Sequence, residues 1–264
     1  VLNKLGNPEL DGIFKADQAI IHRDIQQFDK AYTLFMEARQ IFRSLSWDRE
    51  VARTDMDLGL LAYLQGNYPA SLQFLSEAYE GFNPLASPMD RTAVNLYRSF
   101  VYRDLSLLPE TIHMAQDAEE TARRYKAGWN EALAIMNQGT AYVRLGMADT
   151  AEKRLAKARR LLSKSGAIPM IQQLDADRAS LALRQQRPQT AVRIARRVLK
   201  QIDSQENPAL AVQLQLILAQ AWLAQDHNKL EQALDIVQAS LVVAQQYHLI
   251  GLRVEAHYLL GEIY

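Results

Sequence analysis

Apolar residues in this chain fall at the three-and-four spacing of amphipathic helices, as in Leu155, Ala158 and Leu162 or Val192, Ala195 and Leu199. No stretch alternates as a half-buried strand does. Prolines mark the breaks: Pro8, Pro69, Pro84, Pro88, Pro109, Pro169, Pro188 and Pro208 stand where a helix begins or a connection runs. Asn7, Ser87 and Asn207 each precede a proline and are placed to cap the helix that follows. Gly66 and Gly146 come where a helix must stop, as left-handed C-caps do. These signals predict first helices (A) over 8–25, 49–65, 89–105, 129–145, 169–185, 208–225 and 250–264. Second helices (B) are predicted over 28–43, 68–81, 109–125, 148–164, 188–202 and 229–247.

Small residues keep a fixed step across this pattern. Ala19, Gly59, Ser99, Gly139, Ala179 and Ala219 are 40 positions apart, and Gly261 follows after 42. Ala31, Ser71, Thr111, Ala151 and Ala191 run twelve behind. Ala233 lies fourteen behind Ala219, which puts a two-residue insertion near Asp226, His227 and Asn228. A third series is Ala38, Ala78, Ala118, Ala158, Val198 and Ser240. One helical hairpin is therefore copied at least six times, an all-α solenoid over 1–264 of about six and a half repeats. A mid-helix glycine costs about 1 kcal/mol of helix propensity. Gly59 and Gly139 thus imply close backbone approach, with Ser71 and Ala151 as the expected facing partners.

Residues 58–78 carry Leu58, Gly59, Ala62, Gly66, Tyr68, Ser71, Leu75 and Ala78, and residues 139–158 repeat the pattern in Gly139, Tyr142, Gly146, Ala151, Leu155 and Ala158. This resembles the tetratricopeptide repeat (TPR) signature. The resemblance implies a right-handed superhelix of antiparallel helix-turn-helix units and a docking scaffold for protein or peptide. The step of 40 exceeds the common 34, and is similar to sensor arrays of bacterial signalling NTPases and caspase-like (CHAT) proteases.

In that family the A helices line a concave groove. Projecting the forty-residue step gives candidate groove residues Met56, Leu60, Tyr63, Leu96, Phe100, Arg103, Met136, Thr140, Arg144, Gln173, Ser180 and Arg184, with Ile13, Ile20, Arg23, Val143 and Gln220 in the same rows. The row is apolar early and polar with basic points later. That gradient suits an extended peptide or amphipathic helix with apolar anchors and an acidic end. Arg23-Asp24 and Arg103-Asp104 recur 80 residues apart as local ion pairs, or as a rung at the groove edge. On the convex side Lys153, Lys157, Arg160, Arg193, Arg197 and Lys200 form a candidate basic patch for an acidic partner.

Composition adds exclusions. Thirty basic and thirty acidic residues cancel, and no aromatics interleave the basic patch, which disfavours nucleic acid. Cysteine is absent, removing disulfides and thiolate chemistry from these residues. No run approaches the ~20 apolar residues of a membrane span, and the expected location is cytoplasmic. His22, His113, His227, His248 and His257 show no metal-ligand spacing, and no phosphate loop or nucleophile elbow is present. The expectation is a non-catalytic module without cofactor. Its partner is a protein, a peptide or another domain of its own chain. The alternative is the sensor or autoinhibitory arm of a signalling ATPase or CHAT protease, with catalysis elsewhere. The chain starts at Val1 and stops at Tyr264 inside a repeat, so a larger protein is expected. The apolar last segment, around Leu252, Val254 and Leu259, suggests end-to-end self-association of the isolated piece.

Overall fold

A computed structural model describes residues 7–83, 86–225, 229–247 and 249–263. Pro84, the insertion at residues 226–228, His248 and Tyr264 lie outside them. Among the described residues the secondary structure is helical throughout, with thirteen helices and no strand. The A helices are α1 (Pro8–Asp24), α3 (Asp48–Leu64), α5 (Pro88–Asp104), α7 (Gly128–Arg144), α9 (Ile168–Arg184), α11 (Pro208–Leu223) and α13 (Ile250–Ile263). The B helices are α2 (Phe28–Ser44), α4 (Tyr68–Gly81), α6 (Leu108–Arg124), α8 (Ala148–Ser165), α10 (Pro188–Leu199) and α12 (Leu230–Gln246).

Helix starts use proline more than side-chain caps. Asn7 accepts from the backbone N–H groups of Glu9 and Leu10 at 3.0 and 3.4 Å. Ser87 and Asn207 precede Pro88 and Pro208, yet neither makes a side-chain cap bond. The preset φ of proline carries those starts instead. Gly66 and Gly146 are left-handed, at φ +73° and +75°. Gln26, Ser106 and Gln186 take the same conformation, at φ 60°, 60° and 56°. These five positions are 40 apart, one in each of the first five A-to-B turns. Each turn closes as a Schellman motif: in the second, Gly66 N–H bonds Tyr63 O and Asn67 N–H bonds Ala62 O, both at 2.9 Å.

Packing divides the chain into two compact units, Val1–Asn137 and Gln138–Tyr264. In the first, each helix from α1 to α6 packs on the next, and α3 also touches α1 and α5. Phe35, Leu58 and Leu61 fill one part of its interior, and Leu75, Phe82 and Val94 another. In the second, consecutive helices from α8 to α13 pack likewise, and α11 touches α9 and α13. Leu214, Leu216, Ile217, Val237 and Leu259 form its continuous core.

The small-residue series are interior. Ala19, Ser99, Ala179, Ala219, Ala31, Ser71, Thr111, Ala151, Ala191 and Ala233 are all 0% exposed. The pressure on the glycines comes from a leucine sixteen positions on. A Cβ built at Gly59 would lie 2.7 Å from Leu75 Cγ, and one at Gly139 would lie 2.6 Å from Leu155 Cδ2. Ser71 contributes differently: its hydroxyl donates to Gly59 O at 2.7 Å, tying the two helices together. Ala151 is not among the three nearest atoms to the Gly139 Cβ position, because Leu155 fills that space first. Gly261 closes the series on paper only, since nothing lies within 4 Å of a Cβ there.

Candidate functional site

Within each unit, neighbouring A helices bear the residues of the row expected from the sequence. In the first unit Ile20, Leu60 and Phe100 occupy one register position on α1, α3 and α5, and each is half-buried. Met56 and Tyr63 are half-buried beside them, and Ile13 is 43% exposed on α1. Leu96 and Met136 are 3% and 4% exposed, so they fill the interior and do not face a ligand. Leu96 packs with Ala118 and Ala134. An A helix is covered on several sides by its own B helix and its neighbours, so its accessible stripe is narrower than the projection assumed.

Polar rungs cross this face. Arg23 bonds Asp24 Oδ1 at 3.1 Å and reaches Asp57 Oδ1 on α3 at 2.9 Å. Arg103 does the same from α5, bonding Asp104 at 2.9 Å and Asn137 Oδ1 at 3.1 Å. Both arginines therefore finish their own helix and also link to the next A helix, 34 positions on. Asn137 in turn donates to Ser99 Oγ at 2.6 Å, and Tyr63 donates to Asp104 Oδ2 at 2.7 Å. Burial raises the Asp57 carboxyl above its ordinary value, with Arg23 pulling it back. Burial likewise raises the Tyr63 phenol. Arg103 lies 5.4 Å from the Phe100 ring centre and shapes that part of the face.

The second unit has its own rungs. Thr140 is 8% exposed and donates to Asp177 Oδ2 at 2.6 Å, so it is a structural link. Gln173 donates to Gln213 Oε1 at 2.9 Å, and Gln220 donates to Glu255 Oε1 at 3.2 Å. Val143 is buried at 4%. Ser180 is half-buried, while Arg144 and Arg184 are exposed. Burial raises the Glu255 carboxyl, and the positive charges of Arg144 and Arg184 draw it back down. The two arginines thus share an electrostatic neighbourhood with a carboxylate absent from the sequence-derived row. Its signal was present: Glu255 stands 42 after Gln213, the shift that the insertion dictates.

The candidate basic patch is only partly a free surface. Lys153, Arg160, Arg193, Arg197 and Lys200 are exposed and Lys157 is half-buried. Arg197 bonds Asp175 Oδ2 at 2.8 Å, and Arg159 and Arg178 approach Asp175 Oδ1 at 3.4 and 3.1 Å. Asp175 is 4% exposed. The first unit uses the same device, with Arg39 meeting Asp55 and Glu77 at 2.5 Å each. Arg39 and Asp55 precede Arg159 and Asp175 by 120 positions. Among the described residues no three metal-binding side chains cluster, and no helix is long and apolar enough to cross a membrane.

Neither a protein-family model nor a curated protein matches the sequence. Solved structures do match in fold. Aspartyl phosphate phosphatase F from Bacillus subtilis aligns over 97% of this chain and 70% of its own, at 15% identity and TM-score 0.68. A Rap protein complexed with competence and sporulation factor aligns over 97% and 76%, at 15% identity and TM-score 0.67. A signal transduction ATPase with numerous domains and a tetratricopeptide repeat sensor, from Pyrococcus horikoshii, aligns over 95% of this chain and 39% of its own, at 15% identity and TM-score 0.65. The chain therefore has a TPR-like helical-repeat fold. At such identities the likeness is one of fold. Within that fold, residues such as Asp57, Asp175 and Asp177 serve as links between repeats, and Ile20, Met56, Leu60, Tyr63, Phe100, Ser180 and Gln220 are among the members of the A-helix row left partly accessible.

Proposed function

We propose that the protein is a non-catalytic scaffold that binds an extended peptide or an amphipathic segment of a protein on the A-helix face of its units. The observation that carries this is one register position. It is partly exposed as Ile20, Leu60 and Phe100 in the first unit and as Ser180 and Gln220 in the second, while Thr140 in the same register is buried. Helices packed this closely would bury such a row if packing were its only role. Apolar members suit anchor side chains, and the amides of Gln173, Gln213 and Gln220 suit polar backbone or side-chain groups. Among the groove candidates, Met56, Leu60, Tyr63, Phe100, Arg103, Arg144, Gln173, Ser180 and Arg184 belong to this reading. Lys153, Lys157, Arg160, Arg193 and Lys200 offer a secondary surface for an acidic partner. The Rap structure with its bound competence and sporulation factor supports the choice of a peptide-class partner. The buried carboxylates support the non-catalytic reading, since Asp55, Asp57, Asp175 and Asp177 each hold a cross-helix partner.

A second reading has one finding in its favour. The similarity to the ATPase with a tetratricopeptide sensor fits a sensor arm whose catalytic domain is carried elsewhere. The full reading frame separates the two, because a phosphate-binding loop upstream would favour the sensor.

The direct test selects peptides from a displayed random library on the wild-type protein, then measures them on Leu60→Glu/Phe100→Glu and on Lys153→Glu/Arg193→Glu. Circular dichroism checks that each variant is folded. Loss of binding only in the first variant supports the A-helix face. Equal binding to all three proteins refutes it.

A further inference from the structure

The Arg–Asp link between a B helix and the following A helix is made at Arg39–Asp55 and Arg159–Asp175; Glu119/Ile135 and Leu199/Gln215 lack it, and so does the step from α4 to α5. Tyr79 on α4 stands 40 after Arg39, and Asn95 on α5 stands 40 after Asp55. Neither a cation nor a carboxylate stands at these two positions. Two arginines have arrived in their stead, Arg91 and Arg98, which with Asn95 lie at i, i+4 and i+7 on one face of α5. Both guanidinium groups stack on Tyr79, with Cζ 3.8 Å from the ring centre for Arg91 and 5.5 Å for Arg98.

None of the three is satisfied. Arg91 makes a single long bond, 3.4 Å to Phe82 O. Among the described residues Arg98 makes no hydrogen bond, and its Nε is buried without a partner. Asn95 is 7% exposed and its Oδ1 also lacks a partner. Of the carboxylates nearby in sequence, Asp90 is engaged by Arg49 at 2.9 Å and Glu77 by Arg39 at 2.5 Å, while Glu80 is exposed. Buried polar atoms such as Arg98 Nε are almost always paired. Two guanidinium forks beside an amide offer many N–H donors and no negative charge. That is a donor set for a tetrahedral oxyanion.

We propose that Arg91, Asn95 and Arg98 bind a phosphate-class oxyanion between α4 and α5, either the free ion or the phosphoryl group of a small monoester. Both arginines are partly exposed, so the anion can enter from solvent. Turning the Asn95 amide over would present its NH2 group to the anion, and Tyr79 packs against both guanidinium groups.

Thermal unfolding with inorganic phosphate, at constant ionic strength set by chloride, tests the site. The midpoint of the wild type should climb with the logarithm of phosphate concentration. Phosphoserine acting equally well would admit monoesters; phosphate alone acting would confine the site to the free ion. Arg98→Gln should weaken phosphate binding about tenfold or more, the usual loss of a charge-assisted hydrogen bond. Asn95→Asp restores the internal carboxylate found at Asp55, so it should raise the midpoint without phosphate and abolish the response to it. An unresponsive wild type, an unchanged response in either variant, or an equal response to acetate would overturn the assignment.

Discussion

Replacing Gly139 by alanine puts two effects in direct opposition. The new methyl would stand 2.6 Å from Leu155 Cδ2, 2.9 Å from its Cγ and 3.4 Å from its backbone N. Comfortable carbon contacts begin near 3.5 Å. Relief requires Leu155, itself 1% exposed, to leave its place in the packed interior. Overpacking of this kind costs about 1–3 kcal/mol, while alanine regains about 1 kcal/mol of helix propensity. The net expectation is a loss of up to about 2 kcal/mol. Leu155→Ala alone should cost about 2–5 kcal/mol through the cavity it opens. In that background the obstruction is gone, so adding Gly139→Ala should stabilise by about 1 kcal/mol. The sign of one substitution therefore reverses with the identity of a residue sixteen positions away. Urea unfolding followed by circular dichroism measures all four corners of the cycle. If the two changes add within about 0.5 kcal/mol, the contact is not what forbids a side chain at Gly139.

The left-handed turns supply another contrast. Gly146 and Gly128 both have nothing within 4 Å of a built Cβ, but only Gly146 has positive φ, at +75°. Gly146→Ala should cost about 1–2 kcal/mol in a thermal or urea melt, and Gly128→Ala should cost nothing; equal effects would contradict the backbone argument. Glu255 supplies the pH dependence. Its folded pKa is raised by burial, so its stabilising contribution is complete below the unfolded value and is lost as pH rises through the folded one. Glu255→Gln should thus gain on the wild type as pH rises from acid to neutral, read as a growing difference in midpoint; a shrinking difference would reverse the assigned direction.

Much of the architecture was readable because it rests on steric facts that sequence displays directly. Proline can open a helix, glycine can close one, and a residue without bulk must sit where backbones meet. Gln26, Ser106 and Gln186 were missed as left-handed residues because side-chain identity gives no sign of it. Projecting Gly66 and Gly146 by the repeat length would have found them. The rungs were harder. Arg23 and Arg103 reach partners 34 positions on rather than 40, so each arginine meets the next A helix six residues before its own counterpart. By the rise of a helix that is about 9 Å, an axial offset set by how helices lean and not by any residue pattern. Leu96, Met136 and Thr140 looked like groove residues for a related reason. Periodicity identifies a face, but the depth of a side chain on that face depends on how closely the neighbouring helix packs.

The most direct measurement is where a bound peptide touches the protein. A photo-crosslinking amino acid at position 60 or 180, on the A-helix face, should capture a library-selected peptide. The same group at exposed Tyr32 on α2 or Lys153 on α8 should not. Capture at positions 32 and 153, with none at 60 and 180, would place recognition on the B helices and contradict the account.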